Sequence, residues 1–595
     1  MTGKFEQRIV KTSQERYEED QARYPRHSHH SPGISADSRS QDTSSQIPMV
    51  YRPYPDYNGQ RWKETHSVPF VPCEGPRGRL LNESLDDQVG VYVGVPEGFP
   101  MPMLGSHDAI GFDGALSFDR YSRYGAYGFG ENETLVANWM RPTKVDWDQV
   151  NWGQLQEQCL QRNADRFAPG KAGSSDGHLE TRTAVLIRTF TDREYTDNDI
   201  HVIRSMVTEL SLQSGGEYDV ILFLHVKDPR VPIHKPDVYR QVVEASVPKE
   251  FWDMTVLWKE PAVAFRYPNL DSSITDVHHS QWLSVQAFAL EHPEFHFIWN
   301  WEIDTRFTGH HYEFVDRIAD FARKQPRRGL WERNARFFIP GVHGDYETSF
   351  RSYVQTHEDE AVWGPAPFDI QEPFQPVGPS PPVRQPQEDD YKWGVGEDAD
   401  LIGFLPIFHP MGTRWVIRNE VWGYPAQTTP RRAALVTHYR LSRSLLLAMH
   451  EENLAGRHMG SELFPASTAF LHGLKAVSVP HPIYADKGLP AKRADRWFNS
   501  GVNGRSGSTV DSPFSWGRET RFRDVSWYYR ANLPGRLYWN FLGWEKDGTG
   551  GAAYEAQHGR VCLPSILFHP VKDVQPDSDS TGYVFDSELG FEAID

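Results

Sequence analysis

The residues best suited to chemistry lie in one short segment, Glu302-Ile303-Asp304. Two carboxylates at i and i+2 on an extended backbone point the same way, so both can reach one hard divalent cation or its waters. A Mg²⁺ or Mn²⁺ held there would bridge a diphosphate and neutralise charge on a departing nucleotide. Arg306 could add a phosphate contact, or it could close an ordinary strand-end salt bridge with Glu302. A third acid, Glu462, lies among apolar neighbours in Gly460-Ser461-Glu462-Leu463-Phe464-Pro465. Burial would raise its pKa and suit it to acid–base work, whereas a carboxylate bonded to backbone donors is the plainer reading. The pairs His278-His279 and His310-His311 lack further carboxylates at ligand spacing and read as surface or supporting residues.

An acid pair works only if something rigid presents it. The run Phe295 to Trp301, just before Glu302, is apolar and aromatic and reads as a buried strand. Three similar runs precede it: Ala184 to Arg188, Tyr218 to Val226 and Met254 to Trp258. Between them, Asp197 to Leu212 carries apolar residues at helical spacing (Ile200, Ile203, Val207, Leu210), and Ser280 to Leu290 reads as a second helix. Strands apolar throughout that alternate with helices predict an α/β fold, a mostly parallel sheet covered by helices on both faces. Ligands of such sheets bind at the carboxyl ends of the strands, where Glu302 and Asp304 fall. Further on, 345–390 reads as a long Pro/Gln/Glu-rich loop, Arg431 to Glu452 as a helix and Lys475 to Val479 as strand-like.

The 595 residues divide by composition into four parts. Residues 1–50 are polar and read as disordered, and 51–180 as an irregular Pro/Gly/Tyr-rich wrap. Residues 181–486 form the catalytic α/β unit, with 487–595 as an irregular extension packed on it. The net charge of −18, without a basic cluster, sets nucleic-acid partners aside. An acidic chain that handles an anionic substrate needs local help from a metal or a few arginines. The 19 tryptophans suit a carbohydrate cleft as well as a core. Three scattered cysteines form no zinc spacing and allow at most one bridge. Two N-x-[ST] sequons, at Asn82 and Asn132, weakly suggest a secretory lumen. No apolar run reaches the length of a membrane span, and no signal peptide is evident, so the chain reads as soluble: cytoplasmic, or Golgi-luminal if an upstream anchor is missing.

The stretch Phe297-Ile298-Trp299-Asn300-Trp301-Glu302-Ile303-Asp304 resembles the aromatic strand and acidic E-P-D segment of fungal α-1,2-mannosyltransferases of the GT-A fold, with Ile303 in place of their proline. From about Val71 to Asp486 the chain also resembles a fungal family of uncharacterised domains, through Trp393 to Glu397, Pro430 to Arg432, Ser461 to Pro465 and Pro480 to Pro482. Trp393-Gly394-Val395-Gly396-Glu397-Asp398 is similar to the WGGED-type segment of inverting galactosyltransferases, which implies Glu397 or Asp398 as general base and Trp393 as a sugar platform. An acidic turn that starts a helix is the alternative. The GT-A resemblance further implies His481 as a third metal ligand, and Arg188, Thr189 and Asp228 as contacts to the nucleotide. It leads us to expect a metal-dependent glycosyltransferase that moves a sugar from a GDP- or UDP-sugar to a hydroxyl acceptor. The alternatives are a catalytically silent carbohydrate-binding or scaffold protein on the same fold, and a glycoside hydrolase. An adjacent acid pair is the wrong arrangement for hydrolysis.

Overall fold

The computed structural model describes residues 47–572, apart from 97, 133–141, 168–178, 359–361, 371–373, 487, 532 and 547–549. The expected disordered stretch therefore lies almost wholly outside the described residues. At the centre is a seven-stranded sheet. Its strands are β1 (Arg182–Phe190), β2 (Tyr218–His225), β3 (Thr255–Trp258), β4 (Phe295–Glu302), β5 (Leu401–Gly403), β6 (Tyr439–Ser442) and β7 (Ala476–Ser478). Their spatial order is β7-β5-β6-β4-β1-β2-β3. All neighbours run parallel except β6, which lies antiparallel to both β4 and β5.

The first four strands form where the apolar runs predicted them. β1 and β2 are buried along almost their whole length, the pattern of strands covered on both faces. The reversed strand β6 corrects the sequence reading. The expected helix over Arg431 to Glu452 is an irregular stretch, then β6, then α4 (Arg443–Leu454). Ser442 ends the strand and caps the helix, its hydroxyl accepting from the Leu445 N–H. The expected loop 345–390 likewise contains helical turns from Tyr346 to His357.

Helix α1 (Asp197–Met206) starts at a capping box in which Thr196 and Asp199 satisfy each other's backbone N–H groups. It runs on as a π-helical turn, Val207–Leu212. That turn carries Glu209 into the interior, against Arg123 (2.6 Å), Tyr127 (2.8 Å) and His311 (3.0 Å). Helix α2 (Trp282–Glu291) packs on β4 and α4, and α3 (His311–Lys324) follows the site turn.

The flanking segments belong to the same core. Leu104 bridges to Ile483 and Phe118 to Leu563, so the N-terminal wrap lies across the chain's last third. Cys73 and Cys159 are disulfide-bonded. The C-terminal segment expected to be irregular carries helices Ala491–Phe498, Leu533–Phe541 and Gly551–His558. Its Leu567–Phe568 pairs with Arg306–Phe307, directly beyond the acidic turn. No helix among the described residues is long and apolar enough to cross a membrane.

Candidate functional site

Glu302 is the last residue of β4, and Asp304 lies in the turn that follows, not on the strand. The turn is held from inside. The Arg306 guanidinium donates to the Ile303 carbonyl (2.6 Å), to Asn198 Oδ1 (2.7 Å) and to Asp199 Oδ1 (2.5 Å). Asp199 is fixed in turn by the capping box of α1, so a local helix-start signal ends up shaping the acidic loop. Arg306 is 1% exposed and its charge is consumed by Asp199. The expected phosphate contact and the expected Glu302 salt bridge both give way to this structural role.

The acids face a histidine from the far end of the chain. His569 Nε2 lies 2.8 Å from Glu302 Oε2 and 3.5 Å from Asp304 Oδ1. Lys572 Nζ approaches Asp304 Oδ2 at 3.7 Å, and the Thr437 hydroxyl donates to Glu302 Oε1 at 3.0 Å. His569 Nδ1–H donates to the Tyr528 carbonyl at 2.7 Å. That bond fixes the ring and turns Nε2 toward the carboxylates, the arrangement found behind metal-binding imidazoles. Burial alone would lower the His569 pKa, but Asp304 and Glu302 together raise it to about 10. Asp304 is buried as well, yet His569, Lys572 and Arg306 hold its carboxyl well below the usual range. Ligand atoms of Glu302, Asp304 and His569 all lie within 4.8 Å of one another. Two hard oxygens and one imidazole suit Mn²⁺ or Mg²⁺, given waters or a phosphate in the remaining positions.

Glu302, Asp304 and Lys572 line an open cleft of about 1090 Å³ along the carboxyl ends of β1 to β4, with His569 behind them. Beside them the lining holds basic and aromatic groups, with Arg188 the register partner of Glu302 on the neighbouring strand, and the acids Asp192, Glu194 and Glu260. Arg188, two residues before the end of β1, lies over the Trp258 ring at 5.1 Å, with His225 stacked on the same indole at 4.3 Å. Burial pulls the Arg188 pKa down to about 10, opposed by Glu302. Its polar contacts are two long hydrogen bonds of 3.3 Å, to Ser284 Oγ and Asn300 Oδ1. Lys227 sits over the Phe190 ring at 3.8 Å. Neither Arg188 nor Lys227 has a carboxylate partner within ion-pair distance among the described residues. Thr189 also lines the cleft, where its hydroxyl bonds that of Tyr195 at 2.9 Å.

The other expected residues are placed elsewhere. His481 does not join the acid group: it is buried 5.4 Å from Phe404 and 5.5 Å from Trp527, and burial lowers its pKa to about 3. Its neighbour in that cluster, His438, is the ring that reaches the acidic turn, 3.3 Å from Thr305 Oγ1. Asp228 is outside the cleft lining and pairs with the exposed Arg230. Glu397, Asp398 and Trp393 lie at the opposite end of the sheet. Leu401 is level with Leu441, and Leu441 with Ile298, so Asp398 precedes the level of Glu302 by roughly 20 Å at about 3.3 Å per residue. There Glu397 pairs with Arg327 (2.7 Å) and Asp398 with Arg323 (3.2 Å), while Trp393 meets Trp363 edge-on. These contacts fit an acidic turn at a strand start, not a base beside Glu302.

Glu462 is on the Glu302 side. Its Oε1 accepts from the Val436 N–H at 3.2 Å, and burial, with Glu302 and Glu420 adding to it, raises its pKa to about 8. Val436 has a φ of +60°, a left-handed conformation that a β-branched residue adopts only under constraint. The strained segment Val436-Thr437-His438 thus touches Glu462 with its first residue, Glu302 with its second and Thr305 with its third. Of the two histidine pairs, His310 and His311 are buried against Glu209 and not at the surface. His278 lines the cleft.

His569 escaped the sequence reading because nothing local marks it: it lies 267 residues from Glu302. The available signal was the short apolar run before it, Cys562 to Phe568, which ends in His569-Pro570.

Fold and site together define an α/β protein with an acid–acid–histidine group at the carboxyl edge of its sheet. The chain belongs to the family described as "Protein of unknown function (DUF3405)", which it matches over residues 117–573. No curated protein matches it. The matched span includes the C-terminal segment with His569.

Proposed function

We propose that the protein is a metal-dependent glycosyltransferase that uses a nucleotide-diphosphate sugar and a hydroxyl acceptor. One observation carries the reading: a group able to hold a divalent cation shares one cleft with two cations, Arg188 and Lys227, that have no carboxylate within ion-pair distance among the described residues. Arg188 and Lys227 are a ready counter-charge for an anionic ligand, which an acidic protein otherwise repels. Glu302, Asp304 and His569 would hold the cation, whose chemistry is to neutralise the diphosphate as it leaves. The half-buried His225 ring, backed by Trp258, could stack with a base or sugar ring. A mostly parallel sheet ending in an acid pair after its fourth strand supports the GT-A-like part of the proposal. Glu462, whose carboxyl burial and Glu302 keep neutral near pH 7, could hold or pass a proton near the acids.

The test is thermal stability with UDP, GDP and their sugars, each with and without Mn²⁺. A ligand at 100 times its dissociation constant stabilises by about 2.7 kcal/mol. A rise that needs the metal, and is lost in Glu302→Gln/Asp304→Asn, supports the reading and names the donor. A flat response from folded protein favours a carbohydrate-binding or scaffold protein in which the acids serve only to hold His569.

A further inference from the structure

The cysteines and sequons carry an inference about maturation that does not depend on the transfer reaction. Cys73 and Cys159 are bridged, with 5.1 Å between their Cα atoms, and both are almost fully buried. The third cysteine, Cys562, is buried and lies outside the bridge. None of the three exposes a thiol, and one pair is oxidised, which is the usage of a chain folded where disulfides persist and not of one kept reduced. The bridge ties the start of the N-terminal wrap to the helix Trp152–Asn163 near the wrap's end, and Gln156 of that helix exchanges hydrogen bonds with the backbone of Val220 in β2.

Both sequon asparagines, Asn82 and Asn132, are exposed and lie in turns. Asn132 accepts a hydrogen bond from Lys144 Nζ at 3.1 Å, and the rest of its sequon lies outside the described residues. Asn82 is the clearer site. It stands nine residues after Cys73, and its sequon serine, Ser84, is folded inward with its hydroxyl on Asp87 Oδ2 at 2.6 Å. An attached chain at Asn82 would project into solvent while the serine that directs its addition becomes buried after folding.

We propose that the chain matures in an oxidising secretory compartment, where Cys73 and Cys159 are joined and Asn82 receives an N-linked glycan. In the first step each thiol gives up a proton and one electron to form the S–S bond. The donor disulfide of an oxidoreductase takes both electrons and is reduced to a dithiol. In the second, Asn82 Nδ2 bonds the anomeric carbon of a lipid-diphosphate-linked oligosaccharide and loses a proton as the lipid diphosphate departs. The full chain, purified from eukaryotic cells, is alkylated without reduction, digested and mapped by mass spectrometry, with and without an amide-cleaving endoglycosidase. The expected result is a linked Cys73–Cys159 peptide pair, and Asn82 converted to Asp only after the endoglycosidase. Asn82→Gln should remove one glycan's worth of gel mobility shift and leave the bridge intact. Alkylated, unlinked Cys73 and Cys159 would overturn the compartment. A bare Asn82 in bridged protein would overturn the modification site.

Discussion

Two of the arginines that line the cleft, Arg306 and Arg188, should behave in opposite ways, and Arg306→Met is the sharper test. Arg306 donates to the Ile303 carbonyl, Asn198 and Asp199 from a fully buried position. Removing one partner of a buried ion pair costs about 3–5 kcal/mol, because the other charge is left in low dielectric. Asp199 keeps Arg193 at 3.1 Å and the Thr196 cap, so the lower figure, about 3 kcal/mol, applies. With an unfolding entropy near 2.1 cal/mol/K per residue over roughly 500 ordered residues, that loss lowers the melting temperature by about 3 °C if the chain unfolds as one unit. Scanning calorimetry on Arg306→Met, Asp199→Asn and the double variant measures both the loss and the coupling. The coupling energy should exceed about 1 kcal/mol, since the two side chains touch. Unchanged melting in Arg306→Met, together with loss of the nucleotide-dependent shift, would refute the reasoning and restore Arg306 as a ligand contact.

Arg188→Met should leave melting unchanged or slightly raised, since it removes a buried cation with no ion-pair partner, while weakening nucleotide binding at least tenfold by calorimetric titration. Glu462→Gln gives a pH signature. Its folded pKa of about 8 lies above the ordinary 4.5, so the stability it lends is fully present below pH 4.5 and is lost as the pH rises through 8. The glutamine variant should therefore match wild type near pH 4.5 and exceed it by ~3 kcal/mol at pH 8, after allowance for partial exposure, as read by denaturant melts at both pH values. Cys159→Ser opens a bridge spanning 86 residues of sequence, which by chain entropy costs about 4.6 kcal/mol. Reducing agent should lower the melting temperature of wild type and not that of the variant.

How far the sequence could be read follows from where each signal resides. β1 to β4 announce themselves because a strand buried on both faces must be largely apolar, a pattern that runs eight or nine residues in β1, β2 and β4 and four in β3. The acid pair was legible for the same reason: it directly follows such a strand. Strand β6 was hidden because Ser442 is both its last residue and the cap of α4, so Leu441, Leu445, Leu446 and Met449 read as one continuous helical face. Glu397 and Asp398 look chemical in sequence, yet only the pairing register shows them at the wrong end of the sheet, neutralised by Arg327 and Arg323. Arg306 and Arg188 are the same residue type at the same edge. Whether each is spent or free depends on Asp199, more than 100 residues from Arg306, being placed there by a helix cap. His569 depends on the longest-range fact of all, the pairing of Leu567–Phe568 with Arg306–Phe307, which delivers the next residue to the acids. The carboxylates are a local property of the chain, but a third ligand exists only once the C-terminal segment has folded back. A truncation before Leu567 should therefore abolish metal-dependent stabilisation even though Glu302 and Asp304 remain.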